Sequence, residues 1–102
     1  MTRFLDTIEQ NRDHYIAELC EFLKIPSVSA KSEHKDDCNR AAHFLLDQFK
    51  ALGFEASLRE TAGNPIVLAK YHVAPEKPTL LIYGHYDVQP PEPLDLWHSP
   101  PF

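Results

Sequence analysis

Glycine and methionine are scarce in this 102-residue chain, with three glycines and a single methionine. So little glycine argues against a phosphate-cradling glycine-rich loop. Basic residues are outnumbered 10 to 15 by acidic ones, for a formal net charge of −5. Such a chain is a poor match for a phosphate backbone, so no nucleic-acid partner is expected. No apolar run approaches the roughly 20 residues of a membrane span, and no membrane partner is expected. The start, Met1-Thr2-Arg3-Phe4-Leu5-Asp6, lacks the apolar core of a signal peptide, which predicts a cytoplasmic protein. H-E-x-x-H and G-x-S-x-G are both missing, as are internal repeats and low-complexity stretches. Cys20 and Cys38 are too far apart for a C-x-x-C motif, and both fall on helical apolar stripes. They are read as reduced core cysteines.

What is present suits one domain with a modest core. Leu5, Ile8, Ile16, Leu19 and Leu23 recur at helical spacing and predict a helix over 4–24. Arg12 interrupts the stripe, so the first turns are expected to be partly exposed. Pro26 ends the helix, and Ile25-Pro26-Ser27-Val28-Ser29 reads as an extended connector. A second helix is predicted over 36–52. Asp36 and Asp37 stand at its positive end, Gly53 is its cap, and Cys38, Ala41, Ala42, Leu45, Phe49 and Leu52 form its buried stripe. Phe54, Ala56 and Leu58 alternate with polar residues as in a half-buried strand, and 66–73 reads as another strand. Thr79 to Tyr83 is apolar without alternation, which predicts a strand covered on both faces. Five of the nine prolines lie in 90–102, a loop with Leu94, Leu96, Trp97 and Phe102 as apolar attachment points. The order of helices then strands predicts the opening of an α/β domain.

Chemistry concentrates in Leu80-Leu81-Ile82-Tyr83-Gly84-His85-Tyr86-Asp87-Val88-Gln89-Pro90. On an extended chain His85 and Asp87 face the same side. They lie just past the carboxyl end of the most apolar strand, where α/β sheets gather ligands. A neutral imidazole is a frequent zinc ligand, and a ligating histidine usually passes its other N–H to a carboxylate or carbonyl. A bare His-x-Asp also occurs where a histidine is merely hydrogen-bonded at a strand end and the aspartate caps a loop; spacing alone leaves both readings standing. His14, His34, His43, His72 and His98 read as surface or satisfied histidines.

Three stretches together resemble the N-terminal part of the M20 metallopeptidase family, in particular its dipeptidase branch of carnosine-type and cytosolic dipeptidases. They are Ile25-Pro26-Ser27-Val28-Ser29, Leu81 through Pro90, and Leu96-Trp97-His98-Ser99-Pro100-Pro101-Phe102. The resemblance covers essentially the whole chain. It implies an α/β fold, here the N-terminal part of a zinc-peptidase-like catalytic domain with two helices followed by strands of a mixed sheet. It also implies a hydrolase with two divalent metals, usually zinc, that polarise the scissile amide of a short peptide and activate water. By that resemblance His85 is a ligand of one metal, Asp87 is the catalytic aspartate that orients and polarises it, and Trp97 holds the following loop. Gln89 and Tyr86 are closer to dipeptidases than to acetylornithine or succinyl-diaminopimelate deacylases. The family's bridging aspartate, general-base glutamate, remaining metal ligands and dimerising domain would all lie beyond Phe102. Residues 1–102 are therefore expected to be a partial catalytic domain, inactive alone, of an enzyme that forms a homodimer. The alternatives are an N-acyl amino acid deacylase of the same family, or a non-catalytic truncated product.

Overall fold

The computed structural model describes residues 2–102. Three α-helices, α1 (Thr2–Gln10), α2 (Arg12–Leu23) and α3 (Lys35–Ala51), precede two strands, β1 (Glu55–Arg59) and β2 (Ile66–Lys70). This is the expected helices-then-strands order of an α/β opening. The predicted first helix is divided at Asn11, whose backbone (φ −106°, ψ 10°) leaves the helical region beside the Arg12 that interrupts the apolar stripe. Its hydrogen bonds nevertheless carry across, Asn11 N–H to Thr7 and Tyr15 N–H to Asn11, so the break is a bend in one rod.

Small residues at helical spacing let α3 approach its neighbours closely. Cys38, Ala41, Ala42 and Leu46 are buried, a stripe on one face. Leu46 stands where the periodic reading favoured Leu45, and Leu52 is exposed because the helix ends before it. Phe22 of α2 stacks on Phe44 of α3, with ring centroids 5.5 Å apart. On its other flank α3 packs against the β1–β2 hairpin. The strands are antiparallel, with Ser57 opposite Leu68 at the centre of the register.

The end of α3 is a Schellman closure. Gly53 has φ +87°, its N–H donates to the Lys50 carbonyl at 3.0 Å, and the Phe54 N–H donates to Phe49 at 3.0 Å. The Phe49 and Phe54 rings meet 5.4 Å apart, the apolar contact that accompanies this motif. No atom lies within 4 Å of where a Cβ at Gly53 would stand, so the cost of a side chain there is purely one of backbone conformation. Gly53→Ala is expected to destabilise the fold by about 1 kcal/mol. A lower urea midpoint with unchanged slope would register it; an unchanged midpoint would contradict it.

Two expectations fail for one reason. Leu80, Leu81, Ile82 and Tyr83 form no strand among the described residues and are 83–89% exposed. A strand covered on both faces needs flanking strands and helices, and no described residue supplies them. Cys20 is likewise exposed, while Cys38 is buried; both are free thiols. The face of α2 that carries Cys20, with Ile16, Leu19 and Leu23, has nothing packed on it. The consequence is visible in the dimensions. The radius of gyration is 16.5 Å, against about 13 Å for a compact chain of this length. The accessible surface is 8616 Å², against about 5900 Å² for a compact protein of this mass.

Candidate metal-site half

The connector after α2 organises the site. Val28 is fully buried and pairs in parallel with Val88, whose N–H donates to the Ser27 carbonyl at 3.0 Å. The Ser27 hydroxyl donates to the Tyr86 carbonyl at 2.9 Å, and the Tyr86 hydroxyl donates to the Pro65 carbonyl at 2.7 Å. Residues 86–88 are thus held from two sides, by the connector and by the turn before β2. The predicted connector is not simply extended: the Ser27 and Val28 N–H groups donate to the Ile25 and Pro26 carbonyls at 2.8 Å, only Val28 bridges, and Ser29 opens the next turn; its partner is the segment that carries the His-x-Asp.

His85 and Asp87 meet as their spacing requires. His85 Nδ1 lies 3.0 Å from Asp87 Oδ1 and 3.1 Å from the Asp87 carbonyl oxygen. Both are acceptors next to a deprotonated aspartate, so Nδ1 carries the proton, and in the neutral ring the lone pair lies on Nε2. The His85 side chain is 74% exposed and Asp87 40%, so Nε2 is open to an incoming group. Asp87 uses its other oxygen to accept the Ser29 hydroxyl, Oγ to Oδ2 at 2.5 Å. That bond foremost, opposed in part by burial and helped by His85, holds the Asp87 carboxyl below its ordinary pKa. Below it, burial foremost, then the charges of Asp87 and Asp37, push the Cys38 thiol up.

Serine, aspartate and histidine in contact invite comparison with a hydrolytic triad, and the order of contacts excludes it. In a triad the serine bonds the imidazole that takes its proton; here Ser29 bonds the aspartate and no imidazole faces its hydroxyl. The chemistry of the donor set, a neutral imidazole with its distal nitrogen free and its proximal N–H on a carboxylate, fits one position in the shell of a divalent metal. Among the described residues no group of three or more histidine, cysteine, aspartate or glutamate side chains is placed to enclose an ion. The pair is one exposed imidazole and the carboxylate hydrogen-bonded to it.

No family model matches the chain. A Cys-Gly metallodipeptidase of Candida albicans is 37% identical over 95% of this chain and 23% of its own length. One from Schizosaccharomyces pombe is 31% identical over 100% of this chain and 24% of its own. The solved structure of a Saccharomyces cerevisiae di-peptidase matches with a TM-score of 0.83 at 26% identity, over 93% of this chain and 22% of that one. Over nearly its whole length the chain is similar to these metallodipeptidases, which are of the M20 family. It spans about a quarter of the length of the curated relatives it matches. The α/β fold expected from the M20 resemblance is the one observed.

Two contacts order the loop that follows the pair. The Trp97 indole N–H donates to the Pro91 carbonyl at 2.8 Å and closes the proline-rich loop over a single 3-10 turn, Leu94–Leu96. Lys31 pairs with Glu92 and ties that loop to the connector. A shallow depression of about 130 Å³ lies at the pair, with Ser29, Val88 and Pro90 in its wall. A larger one, about 430 Å³, lies on the far flank of α3 between Ile25 and Asp47. It holds no clustered ligands, so chemistry rather than size identifies the site. His34 bonds Asp37 at 2.7 Å, His43 bonds the Asn39 carbonyl, and His14 sits by Glu18 on the surface, so these three are satisfied locally. Sequence reasoning missed Ser29 and Ser27. Their only signal was the same two-residue spacing that singled out His85 and Asp87.

Proposed function

We propose that this chain is the N-terminal part of the catalytic domain of a metal-dependent dipeptidase acting on short peptides, with Cys-Gly as its first candidate substrate. The supporting observation is the His85–Asp87 pair, in a chain 37% identical to a Cys-Gly metallodipeptidase over 95% of its residues. His85 would supply Nε2 to a divalent metal, zinc by preference. Asp87 keeps the proton on Nδ1 and fixes the ring's direction. When bound, a pair of such metals polarises the scissile carbonyl and activates water. The remaining ligands and the general base belong to other parts of the enzyme, which is read as a cytoplasmic homodimer.

The large uncovered surface supports this assignment. Leu80 to Tyr83 and the apolar face of α1 and α2 would be covered by the rest of that enzyme. Hydrolysis of Cys-Gly by the complete enzyme, lost with a chelator and restored by zinc, is the expected result. Preferential cleavage of N-succinyl or N-acetyl amino acids would instead favour the deacylase reading; succinyl-diaminopimelate desuccinylases are also relatives, at 30% identity over 80% of this chain. The 102-residue chain alone is expected to bind zinc weakly and to hydrolyse nothing, since a single imidazole falls short of the three or four protein ligands of a zinc site. Stoichiometric tight binding by calorimetry, together with dipeptide turnover, would sink that expectation.

A further inference from the structure

We infer that Ser29 is a positioning residue for the His85–Asp87 pair, and that the connector sets the imidazole tautomer through it. The inference rests on the proposed metal-site reading for its purpose, but its geometry is independent of any metal. A carboxylate beside an exposed imidazole can rotate about its side-chain bonds and offer either oxygen, or neither. Asp87 is 40% exposed, so packing alone does not fix it. The Ser29 hydroxyl removes that freedom by taking Oδ2 at 2.5 Å, which leaves Oδ1 directed at His85 Nδ1, 3.0 Å away. One carboxylate thus bridges a hydroxyl and an imidazole, each on its own oxygen.

Ser29 can do this because its backbone is itself held. It follows Val28, which is buried and paired with Val88, and Ser27, whose hydroxyl reaches the Tyr86 carbonyl at 2.9 Å. Ser27 and Ser29 lie two residues apart and reach Tyr86 and Asp87 in turn. The connector therefore grips the backbone of the His-x-Asp segment with one serine and its reactive carboxylate with the next. No other side chain donates a hydrogen bond to Oδ2 among the described residues. The second contact on Nδ1, the Asp87 carbonyl at 3.1 Å, depends on the same local backbone.

Histidine tautomers can be read directly from long-range proton–nitrogen NMR correlations of the side chain, with no metal present and above the range where the ring is charged. In the wild-type chain His85 is expected to be mainly the Nδ1–H form. Ser29→Ala is expected to return it to the exchanging mixture of a free imidazole, with the amide spectrum of α3 and the hairpin unchanged. Ser29→Thr, which keeps the hydroxyl, is expected to restore the wild-type pattern. A role confined to structure would not move the tautomer in this way. The inference is overturned if Ser29→Ala leaves His85 in the Nδ1–H form, if Ser29→Thr fails to restore it, or if the wild-type ring already shows the free mixture. Failure of the dipeptidase reading would appear separately, as absence of metal-dependent hydrolysis with the tautomer response intact.

Discussion

His85→Ala is expected to lower zinc-dependent dipeptide hydrolysis by the complete enzyme more than about 100-fold, the upper end of what loss of an outer-shell partner costs. The imidazole is read as the donor itself: Nδ1 is committed to Asp87, and Nε2 is exposed and unengaged. Asp87→Ala removes only the group that holds the tautomer and direction, so a smaller loss, about 10- to 100-fold, is expected. The order of the two effects tests the assignment of roles. Steady-state kinetics with added zinc would measure both, and bound zinc per subunit would separate lost metal from lost chemistry. An His85→Ala enzyme that retains its metal and its rate would overturn the ligand role.

Val28→Asp is expected to destabilise the chain by about 3–5 kcal/mol, the cost of an uncompensated buried charge. Val28 is fully buried. It faces Val88 across a parallel bridge, its own N–H donates to the Pro26 carbonyl at 2.8 Å, and its neighbours Ser27 and Ser29 carry the bonds to Tyr86 and Asp87. Such a loss is a large share of the roughly 5–15 kcal/mol that holds an ordinary domain together. The damage is expected to concentrate where the connector meets the site, with fast amide exchange at Val88 preceding loss of α3. Val28→Thr, nearly the same shape with one hydroxyl, is expected to cost less. Urea unfolding followed by circular dichroism, with exchange by NMR, measures both. An unchanged midpoint for Val28→Asp would show that this position is not packed as described.

Local order was legible wherever neighbouring residues decide it. The stripe of Cys38, Ala41 and Ala42 set the buried face of α3, and Gly53 marked its end because only glycine enters the left-handed region at little cost. The two-residue spacing of His85 and Asp87 put both on one side of an extended chain. The interruption of the apolar stripe at Arg12 foreshadowed the bend at Asn11.

Burial was legible only in part, because periodicity reports which residues share a face and not what covers that face. Cys20 and Cys38 lie on equally apolar stripes, yet one is exposed and the other buried, since α3 has a hairpin beside it and the Cys20 face of α2 has nothing. Leu80 to Tyr83 have a buried strand's composition and an unpaired strand's exposure for the same reason. The helices, the two strands and the His-x-Asp pair could be read from the residues alone, since neighbours along the chain decide them. That Ser29, 58 residues from Asp87 along the chain, holds its carboxylate follows from the folded chain alone. That contact depends on the parallel pairing of Val28 with Val88, and no local pattern encodes which distant backbone an extended segment will meet.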